Sequence, residues 1–302
     1  MNNICILVPT FPPHFQYAYR LIKSYFLYDF DKQADLYFVF TNQLERESFI
    51  DWENVLVLPK SLHSFEKRGI INIKKYYGLL RLKKRYSYIL TMDDETYFIK
   101  SVDLDLVCNK FFRKKVLYGN ETFEAGRSLI NNVLNHCQAH FKERKKLPSE
   151  YMMFWLWFNQ PCIYRTETLD DFFHKTGLDK KLAHLSFFDF DYYIYMTYLI
   201  LYYGFHIVNL NNRALFGAVE ATRFQEIELE PFSLRHAELY QSTSFMKKYV
   251  KTQNLFLIIH NDRIANNHSV FANMSEYCLE FSKNHLRGGM KCIKKYVAAI
   301  FR

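Results

Sequence analysis

The sequence predicts an α/β fold built on a parallel, doubly wound sheet. Through the first 120 residues, short apolar runs typical of strands alternate with segments whose apolar residues recur at helical spacing. The chain of 302 residues is 49% apolar and holds nine glycines and seven prolines, so it can fill a large core and has little linker-like sequence. A β-α-β-α alternation predicts parallel strands joined by crossover helices, with ligands at the carboxyl ends of the strands.

The first half of the chain supplies most of the predicted sheet. Its strands are runs such as ICILVP, rich in aliphatic residues, and its first helix carries Phe15, Tyr19, Ile22 and Phe26 at helical spacing. On these criteria we predict strands at 4–9, 36–40, 54–58 and 86–92, and helices at 14–27, 43–50 and 71–85.

The second half reads as a mixed α+β portion. We predict a helix over 127–141, a strand at 161–165, a helix after the sequence FFDFD and a late strand at 254–260. The uncharged segment 192–208 has 17 residues, fewer than the roughly 20 that span a bilayer, and its six tyrosines need hydrogen-bond partners. It is therefore predicted to be a buried core helix that ends near Gly204. Because no Pro/Gly/Ser-rich linker separates the halves, we expect one folding unit with a cleft.

Cysteine spacing and the N-terminus favour a cytoplasmic protein. The six cysteines show no CxxC pair, which predicts reduced thiols, and the N-terminal apolar run is too short for a secretory signal. His136 and His140 have the spacing of a helical metal pair but lack the glutamate of an HExxH motif, so we expect two surface histidines.

The positive charge is concentrated near the C-terminus. The net charge is +9, yet residues 283–302 hold six Lys or Arg and no acid, which leaves +3 for the rest of the chain. Apolar residues recur there at helical spacing, which predicts a basic amphipathic helix. Such a helix either lies on an anionic membrane surface or packs on its own domain, and the sequence leaves both open. Nucleic-acid binding is disfavoured because no recognition motif accompanies the charge.

Three consecutive acids follow the predicted strand in YSYILTMDDETYFIK, residues 86–100. In an extended segment Asp93 and Glu95 would point the same way, roughly 7 Å apart, and at a dielectric near 20 they would repel by about 2 kcal/mol. Such a cluster needs water or a cation, and a plain solvated turn is the simpler alternative. The loop PTFPPHF after the first strand has no glycine, and GxGxxG and GxxxxGK[ST] are absent. A divalent cation on the acids is then the natural way to hold a diphosphate.

The stretch YILTMDDETYF resembles the DxD-type motif of GT-A-fold glycosyltransferases, especially bacterial enzymes that build capsule or lipooligosaccharide. The resemblance implies that Asp93 faces the nucleotide-sugar donor, that Glu95 coordinates Mn²⁺ or Mg²⁺ and that Asp94 assists. Glu95 departs from the usual third Asp of the motif. In this family a C-terminal histidine commonly returns to the metal, which makes His260, after the strand NLFLII, the third expected ligand beside Asp93 and Glu95.

The resemblance also implies donor contacts at the strand ends. Pro9 and Thr10 would contact the nucleoside, Thr41 and Asn42 would contact the base or ribose, and Lys74, with its neighbour Lys75, would lie near the phosphates. The plainer interpretation of Pro9 and Thr10 is a proline-rich turn, and that of either lysine is a solvated helix face.

An inverting transfer needs a base for the acceptor hydroxyl. In SFFDFDYYIY, Asp189 is expected as that base and Asp191 as a helix cap or acceptor contact, although either could simply cap the helix.

Together these features predict a mixed GT-A-like sheet in three segments: 1–120 for the nucleotide-sugar, 121–270 for the acceptor and catalysis, and a basic helix at 271–302. The expected activity is a metal-dependent hexosyl transfer, with a UDP-sugar favoured, to a glycan or lipid-linked glycan at the inner membrane face. The alternatives are a sugar-phosphate nucleotidyltransferase, which normally needs a glycine-rich loop after the first strand, and a non-catalytic peripheral membrane protein.

Overall fold

The computed structural model describes residues 2–63, 69–98, 101–121, 124–156, 162–209, 232–235 and 257–260. The strands in chain order are β1 Ile4–Pro9, β2 Ala34–Phe40, β3 Val55–Val57, β4 Tyr88–Thr91, β5 Thr96–Phe98, β6 Val116–Glu121, β7 Phe154–Trp155, β8 Cys162–Arg165, β9 His206–Asn209, β10 Phe232–Arg235 and β11 Leu257–His260. The α-helices are α1 Phe15–Leu27, α2 Gln43–Glu47, α3 Ile70–Leu82, α4 Leu104–Lys114, α5 Glu124–Ala139, α6 Leu169–Thr176 and α7 Asp191–Tyr203.

A five-stranded sheet with the order β3-β2-β1-β4-β8 lies at the centre. Its first four members pair in parallel, which confirms the predicted mostly parallel α/β sheet. The strand predicted at 161–165 is β8, and it pairs antiparallel with β4, with Leu90 opposite Ile163. The alternating pattern of the first half gave no sign of this antiparallel edge strand.

The central strands are buried on both faces because helices cover them, as in other parallel sheets. Every residue of β1 is buried. Helix α3 approaches β1 very closely at Gly78, where an added Cβ would lie 2.5 Å from Leu7 Cδ2. A side chain at this position would therefore hold α3 away from the sheet.

Helix α7 is the uncharged segment that resembles a membrane span. It is buried from Asp191 to Leu199 and ends at Gly204, whose φ of +70° favours glycine. Its tyrosine hydroxyls find protein partners, since Tyr193 accepts from the Leu156 N–H and Tyr195 from the Arg165 N–H. The prediction of a buried core helix that ends near Gly204 is confirmed. Among the described residues, no helix has both the length and the apolar content needed to cross a membrane.

Two smaller sheets complete the described part, with orders β10-β11-β5 and β7-β6-β9. Strand β5 follows β4 closely in the chain but leaves the central sheet and pairs antiparallel with β11. The acidic residues 93–95 therefore connect two sheets. The predicted basic helix at 271–302 lies outside the described residues, as do Cys278 and Cys292, whereas the other four cysteines are buried free thiols.

Candidate functional site

A cleft of about 530 Å³ opens at the carboxyl ends of β1, β2 and β4. One part of its lining is polar and ionic: Thr10, His14, Thr41, Glu45, His63, Asn72, Lys74, Lys75, Asp93, Asp94 and Glu95. The other part is apolar and aromatic: Pro9, Phe11, Ile70, Ile71, Phe187, Phe190 and Tyr192. Parallel strand ends meet at one edge, which explains why residues far apart in sequence converge here.

The three consecutive acids lie on a tight turn and not on an extended strand. Strand β4 ends at Thr91, and the backbone N–H and the hydroxyl of Thr96 both donate to the carbonyl oxygen of Asp93, at 3.1 Å and 2.6 Å. The expectation that Asp93 and Glu95 share one face of a strand is therefore wrong. The turn instead sends Asp93 towards Lys75, and Asp94 and Glu95 towards His14.

Among the described residues, His14, Asp94 and Glu95 form a group of side chains whose ligand-type atoms are close enough to hold one metal ion. Nδ1 of His14 lies 2.9 Å from Asp94 Oδ1 and 3.7 Å from Glu95 Oε2, and the side chains are 33%, 4% and 13% exposed respectively. One ligand atom from each of the three residues can be chosen so that all lie within 4.8 Å of one another. Oδ2 of Asp94 is buried without a hydrogen-bond partner.

The three side chains change one another's pKa. Burial alone lowers the pKa of His14, but hydrogen bonds to Asp94 and Glu95 outweigh it and raise the pKa to about 10. Burial, assisted by the neighbouring charge of Glu95, raises the pKa of Asp94 to about 8 even though His14 opposes the shift. At neutral pH the group therefore retains protons that a bound cation could replace.

Lys75 joins the acidic turn to helix α7. Its Nζ lies 2.9 Å from Asp93 Oδ1 and 3.0 Å from Asp191 Oδ1, and it sits 4.3 Å from the centre of the Tyr192 ring. Burial lowers the pKa of Lys75, but the two aspartates outweigh burial and hold the pKa well above its ordinary value. Asp191 is fully buried and also accepts from Thr91 Oγ1 at 2.9 Å and Tyr164 OH at 3.0 Å.

Lys74, on the same helix, joins the ends of β1 and β2. Its Nζ donates to the carbonyl oxygen of Thr10 at 2.6 Å and lies 3.4 Å from Glu45 Oε2, which also accepts from the Thr41 N–H at 2.7 Å. Burial lowers the pKa of Lys74, and Glu45 opposes that shift in part. The hydroxyl of Thr10 is buried in the cleft lining without a hydrogen-bond partner.

Asn42, expected to contact a base or ribose, caps helix α2. Its Oδ1 accepts from the Glu45 N–H at 2.9 Å, which satisfies an N-terminal amide of the helix. Among the described lining residues, Pro9, Thr10, Thr41, Lys74 and all three acids of the turn are present, and Asn42 is not.

Asp189 and Asp191 also lie apart from the described cleft lining. Asp189 Oδ1 lies 2.7 Å from His140 Nε2, while its Oδ2 accepts from the N–H and hydroxyl of Ser186 at 2.6 Å and 2.9 Å. Burial raises the pKa of Asp189, but these partners outweigh burial and the net pKa is lowered. Of the two histidines predicted to lie on the surface, His136 is exposed. The prediction is wrong for His140, whose side chain is 13% exposed and contacts Asp189.

Strand β11 brings the backbone of His260 next to the acidic turn. His260 is opposite Thr96 in the antiparallel pairing of β11 with β5. The position of its side chain is outside the described part of the chain.

Two residues of the site were not singled out for these roles from the sequence. His14 follows the first strand in PTFPPHF, and Lys75 is adjacent to Lys74. The available signal in the sequence was a histidine shortly after β1, the neighbour of the strand β4 that the three acids follow. That signal becomes useful only once β1 and β4 are known to be paired.

Comparison with known proteins does not assign the chain to a family. No family model matches the chain, and no curated protein matches it. Among solved structures, the apo form of mouse xyloside xylosyltransferase 1 aligns over 87% of this chain and 98% of its own, with 9% identity and a TM-score of 0.41. A glycosyltransferase involved in the glycosylation of the major capsid of PBCV-1 aligns over 92% of this chain and 98% of its own, with 11% identity and a TM-score of 0.37. Both TM-scores lie below 0.5, and the proposals below rest on the residues of this chain.

Proposed function

We propose that the protein is a metal-dependent glycosyltransferase that moves a sugar from a nucleoside diphosphate sugar to a glycan acceptor. The observation that carries the proposal is the meeting of His14, Asp94 and Glu95 in a cleft at the carboxyl edge of a parallel sheet. An open cleft with carboxylates at this edge suits a phosphorylated ligand that a divalent cation bridges.

The residues present fit a divalent cation. The group offers one imidazole nitrogen and two carboxylates, and the buried Asp94 Oδ2 has no hydrogen-bond partner. A mixed nitrogen and oxygen set suits Mn²⁺ better than Mg²⁺, which prefers oxygen ligands and retained water. This ligand set replaces Asp93 and His260 of the sequence expectation with His14 and Asp94. When bound, the cation would stabilise the negative charge of the departing nucleoside diphosphate.

In this proposal the donor is bound by the polar lining residues around His14, Asp94 and Glu95. Thr10 offers an unpartnered buried hydroxyl, and Pro9 and Thr41 lie at the ends of β1 and β2 in the same lining. Lys74 places a cation on the cleft wall, and its bonds to Thr10 and Glu45 hold the two strand ends together. The apolar and aromatic lining residues would limit the access of water to the reacting groups.

The two aspartates expected for acid–base chemistry receive structural roles in this proposal. Asp191 has no exposed surface and is engaged by three donors, and Asp189 is engaged through both oxygens. Neither aspartate is therefore proposed as the base that takes the proton of the acceptor hydroxyl.

We further propose that the acceptor is a glycan or lipid-linked glycan of a cell-surface polysaccharide or lipooligosaccharide, met at the inner membrane face. The basic sequence at 283–302 supports this proposal because each nearby Lys or Arg contributes about 1 kcal/mol to binding an anionic surface. Deletion of 283–302 should release the protein from vesicles with anionic lipid and leave donor hydrolysis intact. Vesicle binding that survives the deletion contradicts this part of the proposal.

The central test is binding of Mn²⁺ and nucleotide by calorimetry and thermal unfolding. UDP with Mn²⁺ should stabilise the wild type by about 2.7 kcal/mol at a hundredfold excess over Kd. The variants His14→Gln, Asp94→Asn and Glu95→Gln should lose this response, whereas the exposed controls Glu53→Gln and His174→Gln keep it. A response to nucleoside triphosphate with sugar phosphate would instead identify a nucleotidyltransferase. No nucleotide response at all would favour the non-catalytic alternative.

A further inference from the structure

The buried ammonium group of Lys75 connects the acidic turn to the protein core. Asp93 begins the turn, and its side chain contacts Lys75 Nζ while its carbonyl oxygen accepts two hydrogen bonds from Thr96. Both the side chain and the backbone of this one residue therefore fix the path of the chain between β4 and β5.

On the core side, Lys75 contacts Asp191, which is held by several partners. Asp191 is completely buried, and its carboxylate is held by Thr91 of β4 and Tyr164 of β8 in addition to Lys75. Three elements of the central fold thus converge on one carboxylate. Because a buried carboxylate is stable only when it is paired and hydrogen-bonded, Asp191 holds Lys75 at a defined point in the cleft lining.

We infer that Lys75 and Asp191 form a positioning unit that holds the turn from Asp93 to Thr96 so that Asp94 and Glu95 face His14. The unit acts through Asp93, which contacts Lys75 on one side and continues into the two candidate ligand residues on the other. Lys75 then has a role other than phosphate binding. Only the purpose of holding the turn, which is to present Asp94 and Glu95 to a metal ion, rests on the proposed function.

Simple removal of Lys75 is a poor test because Asp191 would remain buried without its cation, and the variant could fail to fold. The double variant Lys75→Met/Asp191→Asn removes both charges and leaves an amide oxygen that can accept from Thr91 and Tyr164. Asp93 loses its contact with Lys75 in this variant. The matched control is Lys83→Met, at the end of the same helix, where the partner Asp170 is exposed.

Amide hydrogen exchange measures how firmly the hydrogen bonds of the turn are held. The Thr96 N–H reports on the turn, and the Met92 N–H, which donates to the Leu7 carbonyl oxygen at 3.0 Å, reports on the adjoining sheet. In the double variant, Thr96 exchange should rise about tenfold or more while Met92 exchange stays as in the wild type. A role in global stability alone would accelerate both amides together.

Mn²⁺ affinity, measured by calorimetry with the metal alone, provides the functional readout. The double variant should bind Mn²⁺ at least about tenfold more weakly than the wild type, and Lys83→Met should bind it equally well. Unchanged Thr96 exchange in the double variant overturns the inference, whatever the metal result. So does wild-type Mn²⁺ affinity in the double variant. A wild type that binds no Mn²⁺ contradicts the proposed metal site, and Thr96 exchange still decides the role of Lys75 and Asp191.

Discussion

Asn42 Oδ1 accepts a hydrogen bond from the Glu45 N–H at the start of helix α2, at 2.9 Å. Glu45 Oε2 in turn accepts from the N–H of Thr41, the residue before Asn42, at 2.7 Å. The first bond is that of an N-cap, and the second resembles the return bond of a capping box, with the glutamate reaching one residue further back.

The first prediction distinguishes two roles of Asn42, the stabilisation of helix α2 and a contact with the nucleotide. Asn42→Ala should lower the free energy of unfolding by about 1 kcal/mol, and Asn42→Ser should restore most of it because serine also caps helices. Urea denaturation measures both, and calorimetry should find UDP affinity unchanged in each. A loss of UDP affinity in both variants with no loss of stability would instead support the nucleoside contact that the sequence implied.

The buried Lys75–Asp191 pair gives a second prediction, on stability. Lys75→Met leaves the fully buried Asp191 charge unpaired and should cost about 3–5 kcal/mol in the free energy of unfolding. Lys75→Met/Asp191→Asn should recover a large part of that loss. Lys32→Met breaks a pair whose side chains are 69% and 48% exposed, and should change stability by about 1 kcal/mol or less. Equal losses from the buried and the exposed lysine would contradict the prediction.

The Asp189–His140 contact gives a third prediction, on pH. The pKa of Asp189 is lowered by folding, so its contribution is fully present above the ordinary carboxyl pKa of about 3.9 and is lost as pH falls through the lower folded value. Asp189→Asn should therefore cost about 1–2 kcal/mol at neutral pH, and the difference from the wild type should shrink below pH of about 4.

Unfolding by urea at several pH values measures that difference. Asp179→Asn, at an exposed aspartate in the preceding segment, is the matched control and should show no such trend. A difference for Asp189→Asn that stays constant down to the acid limit of the folded state would argue against the charged hydrogen bonds as its source.

The contact of α3 with β1 gives a fourth prediction. Gly78→Ala would place a Cβ 2.5 Å from Leu7 Cδ2 and should cost about 1–3 kcal/mol, although alanine favours helices. Leu7→Ala should cost about 2–5 kcal/mol by opening a cavity. In the Leu7→Ala background Gly78→Ala should become neutral or stabilising. Additive losses in this double-mutant cycle would show that the two positions are not in contact.

Periodicity predicted the elements whose pattern is local. Strands β1, β2 and β4 and helix α7 occur close to their predicted positions because apolar alternation and helical spacing are properties of short segments. The same local reasoning treated Asp93 to Glu95 as an extended segment, with a solvated turn as the simpler alternative. After the turn, β5 pairs with β11, about 160 residues further along the chain, and no local pattern carries that information.

The site was predicted as a region more reliably than as a set of contacts. The convergence of strand ends at residues 9–10, 41 and 93–95 follows from parallel topology alone. The partners of each side chain do not follow, because they depend on which helix covers which strand. Lys75 illustrates this: its sequence position suggested a solvated helix face, whereas the helix turns it inward to two aspartates.

The pairing of β5 with β11 has a consequence for biosynthesis. The three-residue strand that fixes one end of the acidic turn has its neighbour at Leu257–His260, so this edge of the cleft cannot be completed until that late segment has left the ribosome. A nascent chain halted before residue 257 would contain all of the central sheet and every described ligand candidate, yet it would lack the strand that anchors β5. Competence for binding should therefore arise late in translation, well after the parallel core has been synthesised.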